Sequence, residues 1–162
     1  MALTNQQIAA LRVAINAETD PQVVQWRSPA TRDDGSLRTW LNQPSATQAW
    51  GESVAAKTLD EGADYSTFDS IAAGKRDAWA IFLQYAPRDM SKNKNRKVVT
   101  DVWGNATAAS TAEAILQAAT QPATHAEAYL GGAAAATGTV SAIKRTWVGV
   151  VTLDDVATIL NG

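Results

Sequence analysis

At three expected helix starts along this chain a hydroxyl-bearing residue is followed, three positions later, by a side chain that can reach back to it. The pairs are Thr4 with Gln7, Ser110 with Glu113, and Thr152 with Asp155. Each fits a capping box, in which the hydroxyl accepts from one free backbone N–H of a helix start and the later side chain accepts from another. Each also precedes a run whose apolar residues recur at three and four. After Thr4 these are Ile8, Leu11 and Ile15, with Leu3 placed for a hydrophobic staple. After Ser110 they are Ile115, Leu116, Ala119, Ala123, Ala126 and Leu130, with Pro122 expected to kink or split the helix. After Thr152 they are Leu153, Val156, Ile159 and Leu160.

Other segments carry helical punctuation of their own. Asp20 before Pro21 reads as a cap followed by a proline in the first turn, where its missing N–H costs nothing. A short helix around Leu37, Trp40 and Leu41 is expected to end before Pro44. Residues 75–86, KRDAWAIFLQYA, place Trp79, Phe82 and Leu83 on one face and are stopped at Ala86-Pro87. Ser91 or Asn93 is expected to cap the next helix, with Val98, Val99, Val102 and Trp103 as its apolar residues and Gly104 at its end. Residues 47–53 are ambiguous, with Trp50 fit for an extended segment but Gly51 against a long strand. Clear β character is confined to AIKRTWVGVV, residues 142–151. The expected fold class is therefore mainly α: a single-domain helical bundle over 1–162, of about six helices, with one or two short β-strands near the C-terminal third. The Gly/Ala-rich stretch 131–139 reads as flexible.

Composition narrows the chemistry. With 162 residues there is room for one domain with a real core. The 14 basic and 16 acidic residues sum to −2, without the basic excess of a dedicated nucleic-acid binder. There is no cysteine, which excludes disulfides, thiolate metal sites and catalytic thiols. The opening residues lack the pattern of a signal peptide, and no apolar run approaches the roughly 20 residues of a membrane helix. The one histidine, His125, lies four residues after Gln121 and two before Glu127, the second of which is not a helical neighbour spacing, and reads as a surface or half-buried residue. The pairs Asp33-Asp34 and Asp154-Asp155 point apart on a helix, and Asp154 and Asp155 suit a first turn. LGGAAAATGTV lacks both the P-loop lysine and the dinucleotide-binding glycine spacing. No catalytic, metal-ligating or cofactor-binding residues are expected.

The most charged stretch is RDMSKNKNRK, residues 88–97, with Arg88, Lys92, Lys94, Arg96 and Lys97 opposed only by Asp89. It reads as a solvated helix start, a surface for an acidic protein partner, or a set of phosphate contacts. Trp79 and Trp103 sit in periodic sequence and read as core. Trp26, Trp40 and Trp50 read either as partner anchors or as covers for core edges.

Taken in order, several stretches resemble a family of small tailed-bacteriophage virion proteins. They are MALTNQQIAALRVAINAETDP, AGKRDAWAIFLQYA, VVTDVWG, and the close HAEAYLGG, ATGTV and TLDDVATIL. KNKNRK is more basic than that pattern, and IKRTWVG carries two cations on its expected strand. The resemblance implies a non-enzymatic structural component of the virion, with no catalytic residues to carry over. The implied place is the head–tail connector (neck, adaptor or collar), as a multi-copy ring made in the bacterial host cytoplasm. Its implied partners are itself and neighbouring portal, neck or tail proteins, with DNA near in the channel and no membrane. A tail-side accessory or tail-tip protein is the nearest alternative, and a DNA-binding regulatory protein a more distant one. Candidate protein or DNA contacts are Lys92, Lys94, Arg96 and Lys97, with Lys144, Arg145 and Trp147 on the expected strand. That strand, at 143–151, and the glycine-rich 131–139 are expected to reach another subunit by edge pairing.

Overall fold

The structure is a computed structural model and describes residues 3–162. In chain order it runs α1 Asn5–Ala17, α2 Pro21–Arg27, α3 Asp34–Asn42, β1 Pro44–Trp50, α4 Ala56–Glu61 and a 3-10 helix Tyr65–Ser70. It continues with α5 Ala73–Gln84, α6 Asn93–Trp103, α7 Ala109–Ala118, β2 Thr120–Thr124, α8 His125–Leu130, β3 Ala135–Thr137, β4 Val140–Ala142 and α9 Leu153–Asn161. The chain is mainly helical, as its periodicity predicts, with two small strand pairs, β1 with β2 and β3 with β4. The helices are shorter and more numerous than a six-helix reading implies.

The chain divides into two compact units. The first comprises 1–47, 122–132 and 145–162, and the second 48–121 and 133–144. Where the sequence reading placed one domain over 1–162, the buried residues form two clusters, one in each unit.

The first unit is built on α1, α2, α3, α8 and α9. Leu11, Ile15, Val23, Leu37, Leu41, Val156 and Ile159 fill its centre, joined by Trp147 and Val151 from an irregular segment. Thr4 and Gln7 form the expected box at α1, Asp20 caps α2 through the Gln22 N–H, and Thr152 and Asp155 form the expected box at α9. Leu3 packs at the edge of this core. A further box, Thr124 with Glu127, opens α8.

The second unit is built on α4 to α7 and the β3–β4 hairpin. Trp79 and Trp103 meet edge to face at 5.6 Å, and Trp79 stacks on Phe82 at the same separation. Trp50, Met90, Val99, Ile115 and Leu116 complete the buried group. Gly62 is required by close packing, since a Cβ there would lie 2.7 Å from the Ile115 Cα. Gly138, at φ 61, makes the β3–β4 turn in a conformation that favours glycine. The hairpin register pairs Ala135 with Ala142, Ala136 with Ser141 and Thr137 with Val140.

Three local expectations are corrected. Ser110 and Glu113 form no box. Helix α7 starts at Ala109 with Ala108 before it, and the Asn105 carboxamide oxygen takes the Thr107 and Ala108 N–H groups instead. Neither Ser91 nor Asn93 caps α6, which begins after Lys92 without a side-chain cap. The Ser91 hydroxyl is held by Asp89. Of the two outcomes expected at Pro122, the split is the one that occurs: α7 and α8 are separated by β2, in which Pro122 is exposed. Its loss of an N–H is tolerated there because the strand lies at a sheet edge. Finally, the strand expected at 142–151 forms only at its start, where Ala142 ends β4 and Ile143 exchanges backbone hydrogen bonds with Gln48 and Trp50. The hairpin occupies 135–142, within and just beyond the stretch read as flexible. Residues 144–152 are irregular, with bends at Thr146 and Gly149.

Candidate functional site

The basic stretch separates into residues with different fates. Arg96 is buried, with 3% of its surface exposed. Its guanidinium donates to the Met90 carbonyl at 2.7 Å, the Ser91 carbonyl at 2.8 Å and the Thr137 hydroxyl at 2.8 Å. It also lies 4.7 Å from the centre of the Trp50 ring. Burial pulls its pKa down, opposed by Asp89. Arg96 therefore ties the start of α6 to the β3–β4 hairpin and is removed from the surface contacts expected of it. Arg88 bonds the Phe82 carbonyl at 2.8 Å and stacks over the Phe82 ring.

Lys92, Lys94 and Lys97 remain exposed. Lys92 pairs with Asp89 at 3.2 Å and Lys97 with Asp101 at 2.8 Å, while Lys94 has no ion pair among the described residues. Burial raises the Asp89 pKa, but hydrogen bonds from Ser91 and Lys92 outweigh it and hold the carboxyl below its ordinary value. The knot of five cations thus reduces at the surface to three lysines, two already neutralised by neighbours on the same chain.

The second group of expected contacts lies on 144–147. Lys144 is exposed. Arg145 is mostly buried and approaches the buried Glu127 carboxylate at 3.5 Å. Trp147 is 3% exposed and belongs to the core of the first unit, so it is no surface anchor. Of the three less periodic tryptophans, Trp50 is fully buried, while Trp26 and Trp40 are half-buried against the first core.

The residues just beyond Trp147 carry what the sequence placed one step too early. Val148 is 49% exposed, Val150 is 68% exposed, and Leu153 is also exposed. Trp147 and Val151 turn inward between them. No backbone hydrogen bond involves Val148, Gly149 or Val150 among the described residues. Val151 is fixed by Asn42, whose side-chain oxygen accepts its N–H at 2.8 Å and whose side-chain nitrogen donates to its carbonyl at 3.0 Å. Arg38, Thr39 and Asn42 of α3 face Val150 and Leu153 across a hollow of about 520 Å³. Exposed β-branched side chains and free peptide groups on one segment form a surface suited to another chain. The alternation of Val148 and Val150 about Gly149 was readable in the sequence. The role of Asn42, which lies 109 positions before Val151, was not.

His125 opens α8 and stacks on Trp40, ring centres 3.9 Å apart. Nearby, the Tyr129 hydroxyl donates to the Glu18 carboxylate. That bond, with backbone donors Thr19 and Asp20, holds Glu18 below its ordinary pKa, while burial and Glu18 push Tyr129 up. Burial lowers His125, opposed by Glu18 and Asp20. The cluster closes the edge of a core. Among the described residues no group of three or more His, Asp or Glu is placed to hold a metal ion, and no helix is long and apolar enough to cross a membrane.

No family model matches this chain, and neither the curated proteins nor the solved structures include a match.

Proposed function

We propose that the chain is a non-enzymatic structural component of a tailed-phage virion, working in many copies at the head–tail junction as a neck, adaptor or collar protein. The sequence resemblance supports the class, because its motifs follow one another in order along most of the chain. The observation that carries the assembly role is the segment 148–150, with two exposed valines and no backbone hydrogen bond to it among the described residues. An apolar segment with free peptide groups is a liability unless another chain covers it.

Lys92, Lys94, Lys97 and Lys144 supply the exposed cations through which such an assembly would meet acidic neighbours or the DNA channel. Arg96 and Trp147 act in this reading from inside, by holding the hairpin and the apolar segment in place.

Native mass spectrometry of the purified chain, across roughly 50–200 mM salt, tests the proposal. Discrete closed oligomers that persist through that range are expected. A chain that stays monomeric at every concentration and salt removes the multi-copy reading, and tight, salt-sensitive DNA binding by that monomer would favour a regulatory protein instead.

A further inference from the structure

The residues around the exposed valines read almost the same in both directions. Thr146-Trp147-Val148-Gly149-Val150-Val151-Thr152 is T-x-V-G-V-x-T about Gly149, with a large apolar residue at both x positions. The structure keeps that symmetry. Trp147 and Val151 are buried, Val148 and Val150 are exposed, and both threonines are exposed. A segment symmetric in sequence and in exposure is complementary to itself when two copies run antiparallel.

The backbone is compatible with this. Val151 gives its N–H and carbonyl to Asn42, while among the described residues the peptide groups of Val148, Gly149 and Val150 have no backbone partner. The flanks are complementary as well. Lys144 precedes the segment and Asp154 follows it, both exposed and neither in an ion pair among the described residues. An antiparallel neighbour brings the Lys144 of each copy toward the Asp154 of the other.

We infer that the occupant of this surface is a second copy of the same chain, joined antiparallel across 148–150 with a two-fold axis at Gly149. Val148 of one copy then faces Val150 of the other, twice. Such cross-strand β-branched pairs stabilise strand pairing. The bend at Gly149 falls on the axis, where both copies curve alike. The contact is isologous, so the unit of any larger assembly is a dimer. This inference rests on the multi-copy reading above and names the partner for it.

Because the chain contains no cysteine, disulfide trapping reads the register directly. Val148→Cys and Val150→Cys are made separately, one with a mass tag, and oxidised alone and mixed. The expected result is a cross-linked dimer from the mixture and little from either variant alone, while Gly149→Cys cross-links with itself. Val13→Cys, on the exposed face of α1, serves as the random-collision control. Val150→Asp is expected to weaken the native dimer by roughly tenfold or more, since it sets a charge into an apolar pair. Oligomers in native mass spectra without the mixed cross-link would overturn the two-fold contact and leave the assembly reading standing. Efficient self-cross-linking of Val148→Cys and Val150→Cys would instead mean a parallel arrangement. Monomers together with no cross-link above the Val13→Cys control would overturn both readings.

Discussion

The Asn42 carboxamide takes both peptide groups of Val151, its oxygen accepting the N–H at 2.8 Å and its nitrogen donating to the carbonyl at 3.0 Å. One side chain at the end of α3 thereby does for Val151 what a neighbouring strand would do. It anchors an otherwise irregular segment beside the first core. Asn42→Ala leaves both peptide groups without partners and is expected to cost about 1–3 kcal/mol in urea denaturation. Asn42→Asp keeps the acceptor but turns a carboxylate oxygen toward the Val151 and Arg38 carbonyls that the nitrogen served, so it is not expected to restore wild-type stability. Hydrogen exchange at the Val151 amide separates these cases from a global effect, because both substitutions should accelerate it beyond the change in overall stability.

Arg96 and Lys94 lie two positions apart in the same basic stretch, and their removal should have consequences of very different size. Arg96→Met abandons two backbone carbonyls and the Thr137 hydroxyl in a buried setting, for an expected loss of about 3 kcal/mol. Lys94→Ala is expected to change stability by less than about 0.5 kcal/mol, as surface substitutions do. Equal effects in chemical denaturation would mean that Arg96 does not hold the hairpin.

Two of the three sequence-level capping boxes form, which sets up a direct comparison. Thr152→Ala removes the acceptor for the Asp155 N–H and should cost about 1 kcal/mol, with Thr152→Ser close to wild type. Ser110→Ala, at the box that does not form, is expected to stay within about 0.5 kcal/mol of wild type. Thermal or urea unfolding of the three variants is sufficient.

Stability is expected to fall on acidification in two stages. His125 has a folded pKa below its ordinary 6.5, so the fold favours its neutral form. That contribution is complete above 6.5 and is lost as the pH falls through the folded value. Glu18 has a folded pKa below its ordinary 4.5, so the fold favours its charged form. Its contribution is complete above 4.5 and is lost at still lower pH. The groups facing His125 and Glu18 are Trp40, Tyr129 and Asp20. His125→Gln should remove the first stage and Tyr129→Phe should shrink the second, read from urea midpoints between about pH 7.5 and 3.5.

The sequence by itself determined the helix starts at Thr4, Asp20 and Thr152, the stop after Gln84 near Pro87, and the core roles of Trp79 and Trp103. Those features depend on groups a few residues apart: a cap and the N–H it satisfies, or apolar residues on one helical face. Tertiary structure decided the rest. Residues 120–124 leave the helical pattern because a strand partner is available, and Ser45 reaches the Ala123 carbonyl across 78 positions. Arg96 is buried because Thr137, Trp50 and the Met90 and Ser91 carbonyls converge on it, although its neighbours Lys94 and Lys97 face water. The strand signal at 142–151 was real in composition. A strand, however, exists only where another chain segment takes its peptide groups, and beyond Ile143 it is Asn42 that serves a single residue. Local pattern specifies what a segment can pair with, and the fold settles whether the partner arrives.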